Sequence, residues 1–251
     1  MAEHPTWPFY RIALVVTGRG EERFLPRLFR SLEAEGHCSF MVVHRIPQLR
    51  PTKQARSQDR KAGAARKFGG VDERLGLAVR NYLESGYDYV ILVDDLEHDF
   101  RDSVEAVYQR YRTALDTILA PKGLSHRASV HFLVNMLEAY YFAHADAINA
   151  VLDTVLGDHE GDVEEIRHPK NDLKKIHPGF DEIEHGRAIL ESLDVPRVLS
   201  NPETCRSLRT LFGWCSRAIG REFDDVYQLA SGRYFEVTRP QLETLPGPPA
   251  H

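Results

Sequence analysis

Apolar residues along this chain alternate between two rhythms. Residues 11–17 (Arg-Ile-Ala-Leu-Val-Val-Thr) form a short, continuous apolar run rich in β-branched side chains. That is the signature of a strand covered on both faces. Gly18-Arg19-Gly20 breaks the run, and Phe24, Leu25, Leu28, Phe29 and Leu32 then recur at helical spacing as far as Gly36. Residues 39–45 predict a second strand and residues 71–83 a helix. Residues 87–93 (Tyr-Asp-Tyr-Val-Ile-Leu-Val) are the strongest strand signal, with Asp94-Asp95-Leu96-Glu97-His98-Asp99 at its C-terminal end. Val104, Val107, Tyr108, Tyr111, Leu115 and Ile118 mark the next helix. Residues 129–134 read as a fourth strand running into an apolar helix over 136–143. Strands alternating with helices at this spacing predict an α/β fold through about residue 150, its sheet mostly parallel and flanked by helices.

Beyond that point the rhythm is helical. Helices are predicted over 181–193 and 202–219, the latter with Leu208, Leu211, Phe212, Cys215 and Ile219 on one face. The intervening stretch 157–165 carries Asp158, Glu160, Asp162, Glu164 and Glu165 and predicts a solvated acidic loop. The expected organisation is therefore an α/β core over residues 1–150 and a helical C-terminal portion over 151–251 packed on it. No internal repeat is present.

Composition narrows the class. Apolar residues make up 42% and charged residues 27% of the 251, the balance of a globular protein rather than a disordered chain or coiled coil. No run approaches the ~18 apolar residues of a membrane span. The first five residues lack the basic-then-apolar order of a secretion signal, so a cytoplasmic protein without a membrane partner is expected. Cys38, Cys205 and Cys215 are too few and too widely spaced for a disulfide framework or a paired-cysteine zinc site. The 12 histidines show no zinc-binding spacing either.

Charge is unevenly spread. The net charge is −5, yet residues 1–67 hold 13 Lys or Arg against 6 Asp or Glu. Arg45, Arg50, Lys53, Arg56, Arg60, Lys61, Arg66 and Lys67 cluster against Asp59 alone. Such a run is either a solvated loop or a surface that meets nucleic-acid phosphates. Few aromatics interleave with it, so phosphate contact rather than base stacking is the expected mode. Arg206, Arg209 and Arg217 either extend this surface or form the wet face of the last helix.

In a parallel α/β sheet, ligands bind outside the carboxyl ends of the strands. Two acidic groups fall there: Glu21 and Glu22 after the first strand, and Asp94, Asp95, Glu97 and Asp99 after the third. Oxygen donors of this kind suit Mg²⁺ or Mn²⁺, with phosphodiester oxygens completing the shell. The alternative is that these acids cap the helices that follow. Glu138 lies among almost wholly apolar neighbours, so its carboxylate needs a metal, a base or backbone N–H groups as partner. His98, beside the acidic cluster, is either an acid–base residue or an ordinary surface histidine.

These segments resemble a known family. Val16-Thr17-Gly18-Arg19-Gly20-Glu21-Glu22-Arg23-Phe24-Leu25 resembles the Val-Glu-Gly-x-Thr-Glu-Glu-x-Phe-Leu opening of Toprim-like proteins, and more narrowly of the domain-of-unknown-function 4276 family. Ile91-Leu92-Val93-Asp94, the helix Met136-Leu137-Glu138-Ala139-Tyr140-Tyr141-Phe142, and the layout from His168-Pro169-Lys170 to Trp214 agree with it. The resemblance implies a Toprim-like core, with a glutamate after the first strand in acid–base chemistry and aspartates after a later strand holding Mg²⁺. Active Toprim enzymes cut, rejoin or extend nucleic acids. Together with the crevice placement of the acids, the resemblance implies a nuclease acting on DNA or RNA, with Glu21, Glu22 and Glu138 as catalytic candidates, His98 as a further one from its place beside the acidic cluster, and Asp94, Asp95 and Glu97 as metal ligands. It further implies an ABC-type ATPase partner in anti-phage defence. Thr17 departs from the pattern, standing where the family has glutamate, and a strict Asp-x-Asp is missing. A threonine hydroxyl is no general base at neutral pH. A catalytically degenerate subunit that binds a partner protein or nucleic acid is the competing expectation.

Overall fold

The computed structural model describes residues 8–49, 71–221 and 223–245. The four apolar runs form β1 (Tyr10–Val16), β2 (Cys38–Arg45), β3 (Tyr89–Leu96) and β4 (Ala128–Val134), a single parallel sheet in the order β2-β1-β3-β4. Because the sheet is covered on both sides, its strands are apolar throughout rather than alternating. Ala13, Val15, Val90 and Leu92 face one layer, built from α3 (Val71–Glu84) and α4 (Val104–Leu119). Ile12, Leu14, Val16, Ile91 and Val93 face the other.

That second layer joins the N-terminal helices to the C-terminal ones. The expected single helix after β1 is broken into α1 (Arg19–Phe24), a 3₁₀ turn (Leu25–Phe29) and α2 (Arg30–Ala34). Pro26, in the first turn of the 3₁₀ segment, has no N–H with which to continue α1. The C-terminal part contributes α5 (Ala145–Leu152), α6 (Pro169–Ile176), α7 (Glu184–Ser192), α8 (Val195–Ser200), α9 (Arg206–Ala218) and α10 (Asp224–Tyr227). Their apolar residues share one continuous buried cluster with the sheet. The edge strand β4 is closed by Gln241, whose amide accepts from Val130 N (2.8 Å) and donates to Val130 O (2.7 Å), in place of a further strand. Among the described residues no helix is long and apolar enough to cross a membrane.

Three expectations are corrected. Residues 136–143 do not form an α-helix: Asn135 (φ 58°) and Met136 (φ 75°) turn the chain sharply, and a 3₁₀ segment (Leu137–Ala143) follows. The acidic stretch 157–165 is not simply a solvated loop, because Val163 and Glu164 are buried. Glu164 Oε1 accepts from Ser207 N (2.8 Å), Ser207 Oγ (2.7 Å) and Tyr140 OH (3.2 Å), while Asp162 accepts from Cys205 N (3.2 Å). Both acids thus sit at the positive end of α9. Burial nonetheless pushes the Glu164 carboxyl up to about 7.

The third correction concerns α9 itself, which is buried nearly all round rather than on one face. Arg209 is fully buried. Its guanidinium donates to Leu199 O (2.8 Å) and Asn201 O (2.9 Å) at the end of α8, and to Tyr227 O (3.0 Å) and Gln228 O (2.9 Å) at the end of α10. It satisfies the orphan carbonyls of two helix C-termini at once. The chain passes so close that a Cβ on Gly232 would lie 2.1 Å from Arg209 Nε. Arg206 pairs with Asp162 (3.2 Å) and Arg217 donates to Leu242 O (2.6 Å), so all three arginines have partners within the fold. Replacing Arg209 by methionine keeps the volume and leaves four carbonyls dry. We expect a loss of about 3 kcal/mol or more in urea unfolding. An unchanged midpoint would show that water replaces the guanidinium at no cost.

Candidate functional site

The sheet order reverses between β1 and β3: the chain leaves β1 for β2 on one side and reaches β3 and β4 on the other. At such a switch point the carboxyl ends of the two central strands open a crevice. Thr17 follows β1 there, and Asp94 and Asp95 are the two residues before the last of β3, opposite Phe132 and Leu133. The strand runs further than its apolar run suggested, so both aspartates are strand residues. Successive strand residues point to opposite faces, and this splits the pair.

Asp94 turns toward α4. Its Oδ1 accepts from Thr17 Oγ1 (2.7 Å) and its Oδ2 from Tyr111 OH (3.0 Å). The same threonine oxygen accepts from Asp95 N (3.3 Å), and Tyr111 OH accepts from Leu49 N (3.2 Å). Gln48 donates its side-chain amide to Asp95 O. The Asp94 carboxyl, 2% exposed, is held in a closed knot that ties β1, β3, α4 and the end of β2 together. Burial pushes it up to about 6, although the hydrogen bonds from Thr17 and Tyr111 oppose the rise.

Asp95 turns toward the C-terminal layer. Its Oδ1 is buried and has no hydrogen-bond partner among the described residues. Burial raises its carboxyl well above the usual range, and repulsion from Glu21, Glu138, Asp94 and Glu97 raises it further. Glu21, 5% exposed, comes from α1 and folds back over Gly18. A Cβ on residue 18 would fall 1.7 Å from Glu21 Oε2, so this conformation of the carboxylate requires glycine there. Glu138 arrives from the first turn of the 3₁₀ segment after β4. Burial raises both glutamates, and the Lys170 ammonium opposes the rise in each. Lys170, in the first turn of α6, pairs with Glu182 at 2.7 Å. Burial pulls its ammonium down, but Glu182, Glu138 and Asp95 outweigh it and raise it overall.

Beside the carboxylates lies a cleft of about 200 Å³. Glu97, His98 and Asp99 line one wall, Asn135 and Met136 a second, and Arg167, His168, Lys170 and Asn171 a third. The rings of His98 and His168 are 6.4 Å apart. Two adjacent non-glycine residues at positive φ, Asn135 and Met136, hold the second wall. Each such residue costs of order 1–3 kcal/mol, and such strain gathers at functional sites.

Of the residues expected from the sequence, Glu21, Asp95 and Glu138 are brought together. Glu97 is exposed on the cleft rim, and His98 lines the cleft. Glu22 is exposed and pairs with Arg45 at 2.9 Å, so neither residue enters the crevice. Arg50, Lys53, Arg56, Arg60, Lys61, Arg66 and Lys67 lie outside the described residues. The expected metal set of Asp94, Asp95 and Glu97 is not formed as a unit, because pleating sends the two aspartates to opposite layers. Among the described residues no three His, Cys, Asp or Glu side chains are arranged as a ready cage for a metal ion. Lys170, Arg167 and Asn135 were not foreseen. One signal did exist: Pro169 marks a helix start, and a lysine in a first turn is electrostatically misplaced unless an acid or anion faces it.

A raised carboxyl has a definite sign for stability. The folded chain keeps the Asp94 proton to about pH 6, whereas an unfolded aspartate loses it near 3.8. Stability therefore falls as pH rises through that window and levels off above it. We expect urea midpoints at pH 4, 5 and 7 to follow this slope, and Asp94→Asn to reduce it by the share of this one carboxyl, of order 3 kcal/mol. Parallel pH profiles for the two proteins would show that Asp94 does not titrate in this way.

Comparison with curated proteins and with solved structures finds no match. The profile of the family described as Domain of unknown function (DUF4276) matches residues 16–214. That span runs from the end of β1 to Trp214 in α9 and contains Thr17, Glu21, Asp94, Asp95, Glu138 and Lys170. The chain belongs to the DUF4276 family.

Proposed function

We propose that the crevice binds a divalent cation and hydrolyses phosphodiester bonds of DNA or RNA, with Asp95, Glu21 and Glu138 as the working carboxylates. One observation carries the reading. Three carboxylates, from the end of β3, from α1 and from the 3₁₀ segment after β4, come close enough at the switch point to repel one another, and Asp95 Oδ1 is buried without a hydrogen-bond partner among the described residues. Uncompensated, such burial costs several kcal/mol per group, and the single ammonium of Lys170 does not balance three acids.

The donors are all hard oxygens, the chemistry of a Mg²⁺ or Mn²⁺ site. Such an ion takes one or two carboxylates and completes its shell with water and phosphate oxygens, so a closed protein cage is not required. Bound here by Asp95 with Glu21 or Glu138, it would supply charge stabilisation at phosphoryl oxygens and a more acidic water. The remaining work falls to the chain. Burial raises the carboxyls of Glu21 and Glu138, the direction that suits groups that accept a proton from attacking water or return one to the leaving oxygen. Lys170 holds charge against them. His98, in the cleft wall, supplies a further proton-carrying group. The resemblance to Toprim-like proteins supports the same reading. Thr17 is committed to Asp94, so acid–base work passes to Glu21 or Glu138. A cytoplasmic setting rests on the apolar and cysteine pattern of the sequence, and an ABC-type ATPase partner in anti-phage defence rests on the resemblance alone.

The knot of Thr17, Asp94 and Tyr111 favours a second reading, a non-catalytic subunit that binds a partner protein or nucleic acid. Metal titration by calorimetry separates the two, together with cleavage assays on plasmid, linear DNA and tRNA in Mg²⁺ or Mn²⁺. We expect ion binding, and cutting that falls at least 100-fold in Asp95→Asn and in Glu138→Gln. Neither ion binding nor cutting in the wild-type protein would leave the non-catalytic reading.

A further inference from the structure

We infer that the cleft between β3, β4 and α6 is a nucleotide subsite, which seats the phosphate of one unpaired nucleotide at the start of α6 and its base against Asn135. The inference rests on the phosphodiester reading for its role, since it names the part of the substrate that lies beside the carboxylates.

The third wall of the cleft is built for an anion. Asp172 N donates to His168 O (3.0 Å), the first hydrogen bond of α6, so the N–H groups of Lys170 and Asn171 precede the helical ladder. The positive end of an eight-residue helix therefore opens into the cleft, flanked by the side chains of Arg167 and Lys170. The neighbouring acids Asp162 and Glu165 are taken by Arg206 and Arg101, and Arg167 makes no ion pair among the described residues. Arg167 is exposed at the cleft mouth, where a phosphate can reach it.

The second wall asks for something a phosphate lacks. Asn135 is 1% exposed, and its Nδ2 donates to Glu164 O (2.7 Å). Its Oδ1 is buried and has no partner among the described residues. A dry, unpaired acceptor costs of order 1–3 kcal/mol, and the strained Asn135–Met136 turn holds it in place. A phosphate dianion has no hydrogen to give it. The ligand that satisfies both walls carries a phosphate at one end and an N–H donor at the other. A nucleotide does so through the amino or imino group of its base. That edge of the base is the one used in pairing, so the nucleotide in the cleft is unpaired. His98 Nδ1, also buried without a hydrogen-bond partner among the described residues, offers a second contact on the opposite wall.

The test measures binding and needs no turnover. The full chain is titrated calorimetrically, in EDTA and again with Ca²⁺, against the four nucleoside 5′-monophosphates, the four matching nucleosides, ribose 5-phosphate and inorganic phosphate. We expect at least one nucleotide to bind tenfold or more tightly than its nucleoside, ribose 5-phosphate or inorganic phosphate. Arg167→Ala, an exposed position, should weaken that nucleotide at least tenfold and leave the nucleoside unchanged. Competition by a 5′-phosphorylated single-stranded tetranucleotide identifies a chain end as the source, and competition by the mononucleotide alone identifies a free nucleotide; either supports the subsite. Equal affinity for ribose 5-phosphate and the nucleotides, no binding in either buffer, or no effect of Arg167→Ala overturns it. A protein that cuts with Mn²⁺ yet binds no nucleotide would lose only the subsite. A protein that binds nucleotide yet never cuts would lose only the hydrolytic reading.

Discussion

A strand sends neighbouring side chains to opposite faces, and in Asp94-Asp95 that rule meets a sheet covered on both sides. Each layer therefore receives one acid and must accommodate it. The α3–α4 layer does so with hydroxyls: Thr17 and Tyr111 each give a hydrogen bond to Asp94. The opposite layer gives Asp95 more carboxylates instead. Glu21 arrives over Gly18 and Glu138 arrives through the Asn135–Met136 turn, both toward an oxygen to which nothing among the described residues donates. An arrangement of this kind holds protons, or holds a cation, or is not kept. The chemistry of the molecule follows from this asymmetry between two adjacent residues.

How much of this could be read beforehand differs by layer. The strands and α4 were legible because burial on both faces, or on one stripe, writes itself directly into residue type. Glu21, Asp95 and Glu138 were legible because each follows or ends a strand and is conspicuous by its charge. The separate fates of Asp94 and Asp95 were not, because they depend on β3 continuing to Leu96, past the end of its apolar run. Arg209 and Glu164 were misread for a different reason. A charged residue is normally a surface residue, and these two are buried only because carbonyls at two helix ends and amides at a third happen to surround them. Lys170 and Asn135 acquire meaning only through partners that are distant in sequence.

The cleft and the helical layer share one set of hydrogen bonds. Tyr140 OH donates to Glu164 Oε1, which also receives Ser207 N and Ser207 Oγ at the start of α9, and it accepts from Val134 N at the end of β4. Asn135 Nδ2 continues the set to Glu164 O. The turn that presents Glu138 is therefore braced against the most buried helix of the protein rather than left to a loop. A site that must hold acids closer together than they would choose needs such a brace. Networks of this kind stiffen the groups they connect only when every member is satisfied. In this set Asn135 Oδ1, at the cleft, has no partner among the described residues, and neither has Asp95 Oδ1 in the crevice beside it.

The directions of the buried acids agree with one another. Asp94, Asp95, Glu21, Glu138 and Glu164 all have carboxyls raised by burial. Each therefore makes the fold less stable as it ionises. A chain under selection for stability alone would replace these residues with apolar ones of similar shape, a change that is often neutral or stabilising for buried charges. Glu164 has a structural use, since it receives the N-terminal groups of α9. Asp94 has one too, since it joins four elements through two hydroxyls. Asp95, Glu21 and Glu138 have none within the described fold: they face one another, and Gly18 and the strained turn at Asn135 and Met136 serve to keep them there. Groups that oppose folding and yet are positioned at a cost elsewhere in the backbone are what the proposed cation site would account for. A ligand that binds only the folded state stabilises it by mass action, and a cation between these carboxylates would relieve the same repulsion that makes them unfavourable without it.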